Sequence, residues 1–189
     1  MKRKAVAITG KIGSGKSAVA GILRDMGYKT VDCDALARQV AANPNVVQRV
    51  EQLLGAGSVT NGQLDRKTIR ETVFKNENLL RQYEQIFFDG VRALLVQALA
   101  ALEGEKAVFV EIPVLDAFPF DWNEIWLIES SEQTSVSRVT ARDGVTEDSV
   151  LSTLRRQKQY ASTYVIENNG SLQALTQAVK AALSQSGLI

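Results

Sequence analysis

The chain has 189 residues, of which 45% are hydrophobic and 23% charged, and its formal net charge is +1. The balanced charge gives no reason to expect nucleic-acid binding, and no apolar run approaches the length of a membrane span. Histidine is absent and Cys33 is the single cysteine, which excludes His-based general bases, Ser/His triads, His-ligated zinc sites and internal disulfides. We therefore expect a cytoplasmic protein that binds neither membranes nor nucleic acid.

Short apolar runs along the chain predict five β-strands, and the segments between them have the periodicity of amphipathic helices. In chain order, the predicted strands cover residues 4–9, 28–34, 106–113, 124–130 and 163–168, and the predicted helices cover 16–26, 35–54, 65–102, 132–142, 146–160 and 171–185. Strands that alternate with helices favour an α/β fold with a central parallel sheet. Ligands of such sheets bind beyond the carboxyl ends of the strands, which is where we expect the site.

A glycine-rich loop follows the first predicted strand and opens the first predicted helix. Its sequence, G-K-I-G-S-G-K-S, has the spacing of a P-loop, whose backbone N–H groups bind nucleotide phosphates. We expect Lys16 to neutralise the β- and γ-phosphates and the Ser17 hydroxyl to hold Mg²⁺. The predicted nucleotide-binding residues of the loop are Gly10, Ile12, Gly13, Ser14, Gly15, Lys16, Ser17 and Ala18. The loop alone does not distinguish a kinase from an NTPase or a nucleotide-sensing binder.

Acidic residues stand at the ends of the second and third predicted strands. Asp32 and Asp34 follow the second strand, where a carboxylate could orient an acceptor hydroxyl and accept its proton. Because the chain has no histidine, we predict that Asp34 is this base; it could also cap the next helix, which is compatible with catalysis. Glu111 ends the third strand and is a predicted magnesium ligand, the alternative being a strand-end carboxylate paired with Lys or Arg.

Four arginines lie in the predicted helices between the fourth and fifth strands. They are Arg138, Arg142, Arg155 and Arg156. Arginines there could close over a nucleotide as a lid and stabilise charge on the transferred phosphoryl group, although each alone could equally be a solvated helix residue. We favour Arg142 as the catalytic arginine, because the turn in "ARDGVT" would put it at the tip of such a lid.

Taken together, these motifs resemble those of the dephospho-CoA kinase family. The resemblance covers nearly the whole chain and is carried by "ITGKIGSGKS", the D-x-D-x-x-A-R motif at 32–38, "LDRKTIRETVF" at 64–74, "IPVL" at 112–115, "RDG" at 142–144, Gln157 and VI-x-N-x-G at 165–170. Members of that family transfer phosphate from ATP to the ribose 3′-hydroxyl of dephospho-CoA, the last step of coenzyme A synthesis. The resemblance therefore implies a kinase that uses ATP and Mg²⁺ and binds a small-molecule substrate.

The resemblance also implies an architecture. It predicts a single P-loop kinase domain over residues 1–189, with three layers, a five-stranded parallel sheet and helices on both faces. Its parts would be a core (about 1–34, 103–131 and 161–189), a helical insertion on the CoA side (about 35–102) and a helical lid (about 132–160). We expect a monomer or a weak homo-oligomer.

Residue roles follow from the same resemblance. Asp34 matches the family's catalytic base with Asp32 as its partner, and Arg142 matches the lid arginine. Asn168 and Gly170 fall in the loop near the adenine of ATP, and Ser17 and Glu111 are the expected metal ligands. The expected substrate-binding residues are Asp32, Asp34, Arg38, Asp65, Arg66 and Pro113.

The sequence departs from the family pattern mainly on the acceptor side. Phe88 and Asp89 stand where members usually have a His-Pro pair, and Lys11 stands where glycine is commoner. Ala117, Thr163 and Thr153 replace a glutamate, an aspartate and an arginine. Two alternatives therefore stay open: a related kinase for another nucleoside or nucleotide, and an ATP-binding regulatory paralogue without turnover.

Overall fold

Five parallel strands form the central sheet of the computed structural model, which describes residues 3–73, 76–117 and 120–189. In chain order the strands of the chain are β1 (Lys4–Thr9), β2 (Lys29–Asp32), β3 (Val59–Thr60), β4 (Gln63–Leu64), β5 (Ala107–Glu111), β6 (Glu124–Glu129) and β7 (Tyr164–Glu167). The central sheet has the order β2-β5-β1-β6-β7, and β3 and β4 form a separate antiparallel hairpin. The predicted α/β fold, with a five-stranded parallel sheet between helices, is confirmed.

Eight α-helices connect these strands within the described residues. They are α1 (Lys16–Asp25), α2 (Cys33–Ala42), α3 (Pro44–Leu54), α4 (Arg66–Val73), α5 (Glu77–Ala100), α6 (Glu132–Asp143), α7 (Glu147–Arg156) and α8 (Leu172–Gln185), with short 3-10 helices at Ala56–Ser58 and Leu115–Ala117. None of the helices in the described part of the chain is long and apolar enough to cross a membrane.

The chain divides into two compact units. The first, which we call the core unit, comprises the described residues of Met1–Asp32 and Ala101–Ile189 and contains the central sheet. The second, the insertion unit, is Cys33–Ala100, and it holds helices α2 to α5 and the β3–β4 hairpin. The finer predicted division into core, insertion and lid stays a prediction.

The most buried strands, β1, β5 and β6, are largely apolar between their ends because both faces of the sheet are covered. Phe109 in β5 and Trp126 in β6 are fully buried, and their ring centroids lie 5.0 Å apart. Leu23 of α1 and Val179 of α8 belong to the same buried cluster. A continuous apolar pattern is what a parallel strand covered on both sides requires. This packing fixes the carboxyl edge of the sheet, from which the P-loop leaves β1.

Two predicted helices are each divided in the structure. The predicted helix 35–54 ends at Ala42, and α3 begins at Pro44, whose missing N–H suits the first helical position. The Asn43 side chain caps α3 by accepting a hydrogen bond of 2.9 Å from the Asn45 N–H. The predicted helix 65–102 becomes α4 and α5, and Phe74, the last residue of the family motif at 64–74, lies outside the described residues.

The hairpin at Val59–Leu64 lies between the predicted helices 35–54 and 65–102, where no strand was predicted. Asn61 and Gly62 both have positive φ, 53° and 75°, which is the backbone conformation that a two-residue hairpin turn needs. Its strands are two residues each, which is too short for an alternating apolar pattern to reveal them.

Candidate active site

The P-loop joins β1 to α1. Its backbone conformation and its close packing both require glycine. Gly13 and Gly15 have φ values of 77° and 97°, which residues with a side chain rarely adopt. A Cβ on Gly13 would lie 2.6 Å from the Ser135 carbonyl oxygen, and one on Gly15 would overlap the side-chain amide of Asn168. The loop therefore packs tightly against α6 and the segment after β7, with the N-terminus of α1 behind it.

Lys16 and Ser17, at the start of α1, contact other parts of the carboxyl edge. The Lys16 Nζ donates to the carbonyl oxygens of Gly10 (2.9 Å) and Lys11 (3.2 Å), so the ammonium group lies over the loop. The Ser17 Oγ donates a 2.6 Å hydrogen bond to Oε1 of Glu111 at the end of β5. The two residues predicted to hold a metal are therefore in direct contact.

A second carboxylate lies beside this pair. Asp32 ends β2 and is the register partner of Glu111 across the parallel strands. Neighbouring strands are about 4.8 Å apart, so two half-buried acids stand side by side at the edge of the sheet. No cluster of three or more Asp, Glu, Cys or His side chains fit for a metal occurs among the described residues. A cation here would take further ligands from phosphate or water.

Helices α6 and α7 are tied to the tip of the P-loop. Gly144 ends α6 in the left-handed conformation (φ 66°), at the turn that was predicted in "ARDGVT". The Ile12 side chain packs on the small core that the two helices share, formed by Val136, Val139, Val150 and Leu154. The Ile12 N–H donates a 2.8 Å hydrogen bond to Oε1 of Gln157, the residue that ends α7. Sequence reasoning treated Gln157 only as a family marker.

Arg138, on α6, contacts the P-loop. Its guanidinium group donates to the Gly13 carbonyl (3.4 Å) and to Oδ1 of Asn168 (3.3 Å). Arg142 instead forms a bidentate ion pair with Asp143, in which both hydrogen bonds are 2.7 Å long. These hydrogen bonds raise the pKa of Arg142. Arg138 precedes Arg142 by one helical turn, a spacing that puts both on one face of α6.

Asn168 and Gly170, expected near adenine, differ in their surroundings. Asn168 is buried, and its Nδ2 donates a 2.8 Å hydrogen bond to the Ser14 carbonyl. The Asn168 side chain is thus hydrogen-bonded to the backbone of the P-loop. Gly170 lies exposed in the loop before α8. Pro113 follows β5, next to Ile112, whose N–H bonds the Ile8 carbonyl at 2.9 Å.

Lys11, the unusual residue of the P-loop, lines a cavity of about 370 Å³ on the β6–β7 side of the loop. Glu129 and Glu167, register partners at the ends of these strands, line the same cavity, as do Lys158 and Gln159. Lys158 pairs with Asp116 at 2.7 Å and Gln159 donates to Glu129 at 3.1 Å. Lys11 therefore lines a cavity whose walls carry both acidic and basic side chains.

In the insertion unit, Asp34 lies in the first turn of α2 and is exposed. The expected strand 28–34 ends at Asp32, and α2 begins at Cys33, so Asp34 lies within this helix and not before it, as the capping alternative assumed. Asp34, Arg38 and Arg66 line one cavity of about 520 Å³. Asp65 caps α4 by accepting from the N–H groups of Lys67 and Thr68, both at 3.0 Å, and these bonds, that of Thr68 foremost, lower the pKa of Asp65.

Comparison with known proteins shows the family of the chain. A model of the family described as dephospho-CoA kinase matches residues 4–174. A dephospho-CoA kinase of Thermus thermophilus is 38% identical over 189 residues, covering 95% of this chain and 90% of the relative. The chain belongs to the dephospho-CoA kinase family. A crystal structure of a Thermus thermophilus protein superimposes with a TM-score of 0.85 at 35% identity, covering 98% of both chains.

Membership in the dephospho-CoA kinase family makes the chain a P-loop kinase, a phosphotransferase with an alcohol acceptor that uses ATP. A solved dephospho-CoA kinase from Campylobacter jejuni, 22% identical over 97% of both chains, has the same fold with a TM-score of 0.64. Asp89, at a position that departs from the family pattern, accepts a 2.8 Å hydrogen bond from Gln85 one turn earlier on α5. The P-loop with its Ser17–Glu111 contact is intact in this family member.

Proposed function

We propose that this kinase transfers the γ-phosphoryl group of Mg·ATP to the ribose 3′-hydroxyl of dephospho-CoA, giving coenzyme A and ADP. The observation that carries the proposal is the intact P-loop with Ser17 bonded to the strand-end Glu111, in a chain that matches the dephospho-CoA kinase family over 4–174. We also expect a monomer or a weak homo-oligomer, which size-exclusion chromatography with light scattering tests.

The residues present fit a magnesium ion. Ser17 Oγ and Glu111 Oε1 are 2.6 Å apart, and hydroxyl and carboxylate oxygens are the ligands that Mg²⁺ prefers. Ser17 and Glu111 would therefore hold the ion at the carboxyl edge of the sheet. Bound Mg²⁺ would neutralise charge on the β- and γ-phosphates.

The chain's own residues supply the remaining chemistry. Lys16, now bonded to loop carbonyls, would turn to the phosphates, and Arg138 and Arg142 would stabilise charge on the phosphoryl group during transfer. The 3′-oxygen forms a bond to the γ-phosphorus while the bond to the β,γ-bridging oxygen breaks and ADP leaves. Asp34 accepts the hydroxyl proton, since the chain has no histidine for that task.

An acceptor panel tests the function. ADP release from Mg·ATP is measured with dephospho-CoA, AMP, adenosine or no acceptor, and the product is analysed by mass spectrometry and phosphorus NMR. We expect turnover with dephospho-CoA and a 3′-phosphomonoester product. Turnover with AMP or adenosine but not dephospho-CoA would show a different nucleoside or nucleotide kinase, and ATP binding without ADP in any reaction would indicate the regulatory paralogue.

The role of Asp34 is tested by Asp34→Asn. We expect kcat to fall by about 10²- to 10⁴-fold, the usual contribution of a general base, while the Kd for ATP is unchanged because the base acts on the acceptor. Asp148→Asn is the matched control, since Asp148 also lies exposed in the first turn of a helix, α7. If Asp34→Asn keeps a kcat near that of the wild type, Asp34 is not the base.

A further inference from the structure

Asn168, the first residue after β7, is almost fully buried beside the P-loop. Its backbone N–H donates a 2.7 Å hydrogen bond to the Glu129 carbonyl at the end of β6. Its side-chain Nδ2 donates to the Ser14 carbonyl at 2.8 Å, and its Oδ1 accepts from Nη2 of Arg138 at 3.3 Å. The residue thus joins the carboxyl edge of the sheet to the P-loop and to α6, and both ends of its amide have a partner.

The two side-chain partners fix the orientation of the Asn168 amide. A guanidinium group only donates hydrogen bonds, so Arg138 requires an acceptor, whereas the Ser14 carbonyl only accepts and requires a donor. Rotating the amide by half a turn would therefore lose both bonds. An aspartate at this position would keep the acceptor for Arg138 but would turn a second acceptor towards the Ser14 carbonyl.

The peptide unit between Ser14 and Gly15 is the part of the P-loop that this contact holds. In a planar trans peptide the C=O and the following N–H point in opposite directions. Because Nδ2 of Asn168 holds the Ser14 carbonyl, the Gly15 N–H faces the opposite side of the loop. Among the described residues this N–H has no acceptor, whereas the Ser14 N–H already donates to the Lys11 carbonyl at 3.2 Å. The Gly15 N–H is therefore available to a phosphate oxygen.

Glycine at position 15 permits the close approach of Asn168. A Cβ on Gly15 would overlap the Asn168 amide, so this amide lies directly against the peptide that it holds. Gly15 is also the residue before α1 and has the left-handed conformation. Residues in this conformation turn neighbouring N–H groups to one side of the chain, which forms a concave site for anions. Asn168 thus contacts a backbone turn whose free N–H suits phosphate.

We propose that Asn168 is a positioning residue for ATP: by holding the Ser14 carbonyl, it presents the Gly15 N–H to the nucleotide phosphates. The family resemblance leads to a different expectation, in which Asn168 lies near adenine and would recognise the base. The two roles differ in the part of ATP that is affected, which is the triphosphate in one case and the base in the other. This inference rests on the proposed use of Mg·ATP at the P-loop.

Asn168→Asp tests the contact with the Ser14 carbonyl. The carboxylate can still accept from Arg138, but it cannot donate to Ser14 and it repels the carbonyl oxygen. We expect the Kd values for Mg·ATP and for magnesium tripolyphosphate, which has no base, to rise by the same factor, about 10- to 100-fold. Calorimetry measures the first and competition with ATP the second. A rise for ATP with tripolyphosphate unchanged would show a contact with the base and would overturn the inference.

Two further variants control for charge and for folding. Asn169→Asp adds the same charge one residue later, where exposed Asn169 accepts from the Ser131 N–H at 2.7 Å and can still do so as a carboxylate. Both Kd values should then change by less than about 5-fold. Asn168→Ala removes the contact without adding charge and should raise both Kd values by about 3- to 10-fold, the equivalent of one hydrogen bond. Thermal melts confirm that each variant is folded at the temperature of the titrations.

The amide proton of Gly15 gives a direct spectroscopic readout. Hydrogen bonds to charged oxygens are short and strong, and such a bond moves the resonance of an amide proton downfield. In ¹⁵N-labelled protein saturated with Mg·ADP, we expect this downfield shift in the wild type and in Asn169→Asp, and a smaller one in Asn168→Ala. Loss of stability alone would leave the shift of the saturated protein unchanged. A shift in Asn168→Ala equal to that of the wild type would overturn the inference.

These measurements need no acceptor, which separates the inference from the proposed function. If the Asn168 variants weaken both ligands and reduce the Gly15 shift, but the wild type does not phosphorylate dephospho-CoA, only the transfer reaction is overturned. If the wild type phosphorylates dephospho-CoA and the Asn168 variants keep wild-type Kd values and the wild-type Gly15 shift, only the role of Asn168 is overturned.

Discussion

The two ends of the central sheet each carry a glutamate with short hydrogen bonds, but the surroundings of the two glutamates differ. At the amino end, Glu124 of β6 is almost fully buried, and Lys4 Nζ and Ser186 Oγ both donate to its Oε1 at 2.7 Å. Trp126 Nε1 donates to the other oxygen at 3.0 Å. Both oxygens are thus satisfied by the protein, and the network joins β1, β6 and the end of α8.

At the carboxyl end, the glutamate is half-buried and stands beside another acid. Glu111 accepts from Ser17 at 2.6 Å, and its register partner on β2 is Asp32. Two neighbouring carboxylates repel each other, and a bound cation relieves that repulsion. We therefore expect the amino end to serve stability and the carboxyl end to keep negative charge where a cation can bind. Equivalent substitutions at the two ends should have opposite consequences.

The largest difference is expected from Glu111→Gln at the carboxyl end. If Glu111 helps to hold Mg²⁺, the amide should lower kcat/KM by about 10- to 100-fold, and added Mg²⁺ should restore part of the loss. The free energy of unfolding should stay the same or rise, because the repulsion with Asp32 is removed. Initial rates over a Mg²⁺ titration and urea unfolding measure the two effects. Unchanged rates at every Mg²⁺ concentration would contradict the assignment.

Glu124→Gln at the amino end should do the reverse. The amide loses charge-assisted hydrogen bonds in a buried place, so the free energy of unfolding should fall by about 2 kcal/mol. The activity per folded molecule should stay at the wild-type value, because the network is at the opposite edge from the P-loop. Urea unfolding and rates below the unfolding transition measure both.

The stability that Glu124 provides should also depend on pH. Burial disfavours its charged form, but the hydrogen bonds from Lys4, Ser186 and Trp126 outweigh this and hold the pKa of the carboxyl below its ordinary value. A folded-state pKa below the unfolded value, about 4.3, gives stability that is present above that pH and lost as pH falls through the folded-state pKa. The difference in unfolding free energy between wild type and Glu124→Gln should therefore narrow from pH 7 to pH 3. A constant difference would contradict this account.

The parts of the fold that could be predicted from the sequence are those with a local signal. Apolar runs located the most buried central strands, because a parallel strand covered on both faces is largely apolar between its ends. The break at Asn43–Pro44 was also visible locally, since proline starts a helix and asparagine caps it, and it was missed because the apolar period continued across it. The β3–β4 strands were missed because two residues have no detectable period.

In the candidate site too, the features with a local sequence signal could be predicted and those without one could not. The P-loop is a contiguous motif, and the pairing of Ser17 with Glu111 follows from both standing at one edge of the sheet. The contact of Arg138 with the loop could not be predicted, because it depends on how closely α6 approaches Gly13. A choice between arginines one turn apart needs that distance, which no local pattern contains.

The smallest expected effect is that of Gln157→Ala. This variant tests whether the hydrogen bond between the Ile12 N–H of the P-loop and Gln157 helps ATP binding. Removal of the acceptor for the Ile12 N–H should loosen the tip of the loop and raise the KM for ATP about 2- to 10-fold, the equivalent of one hydrogen bond, with kcat little changed. Thr153→Ala is the control, since Thr153 lies one turn earlier on α7 and its hydroxyl donates to the Ser149 carbonyl within that helix, at 3.0 Å. A fall in the KM for ATP would instead mean that Gln157 competes with a phosphate oxygen for the Ile12 N–H. The direction of the change in the KM for ATP thus decides whether the Ile12–Gln157 hydrogen bond preorganises the P-loop for ATP or competes with ATP.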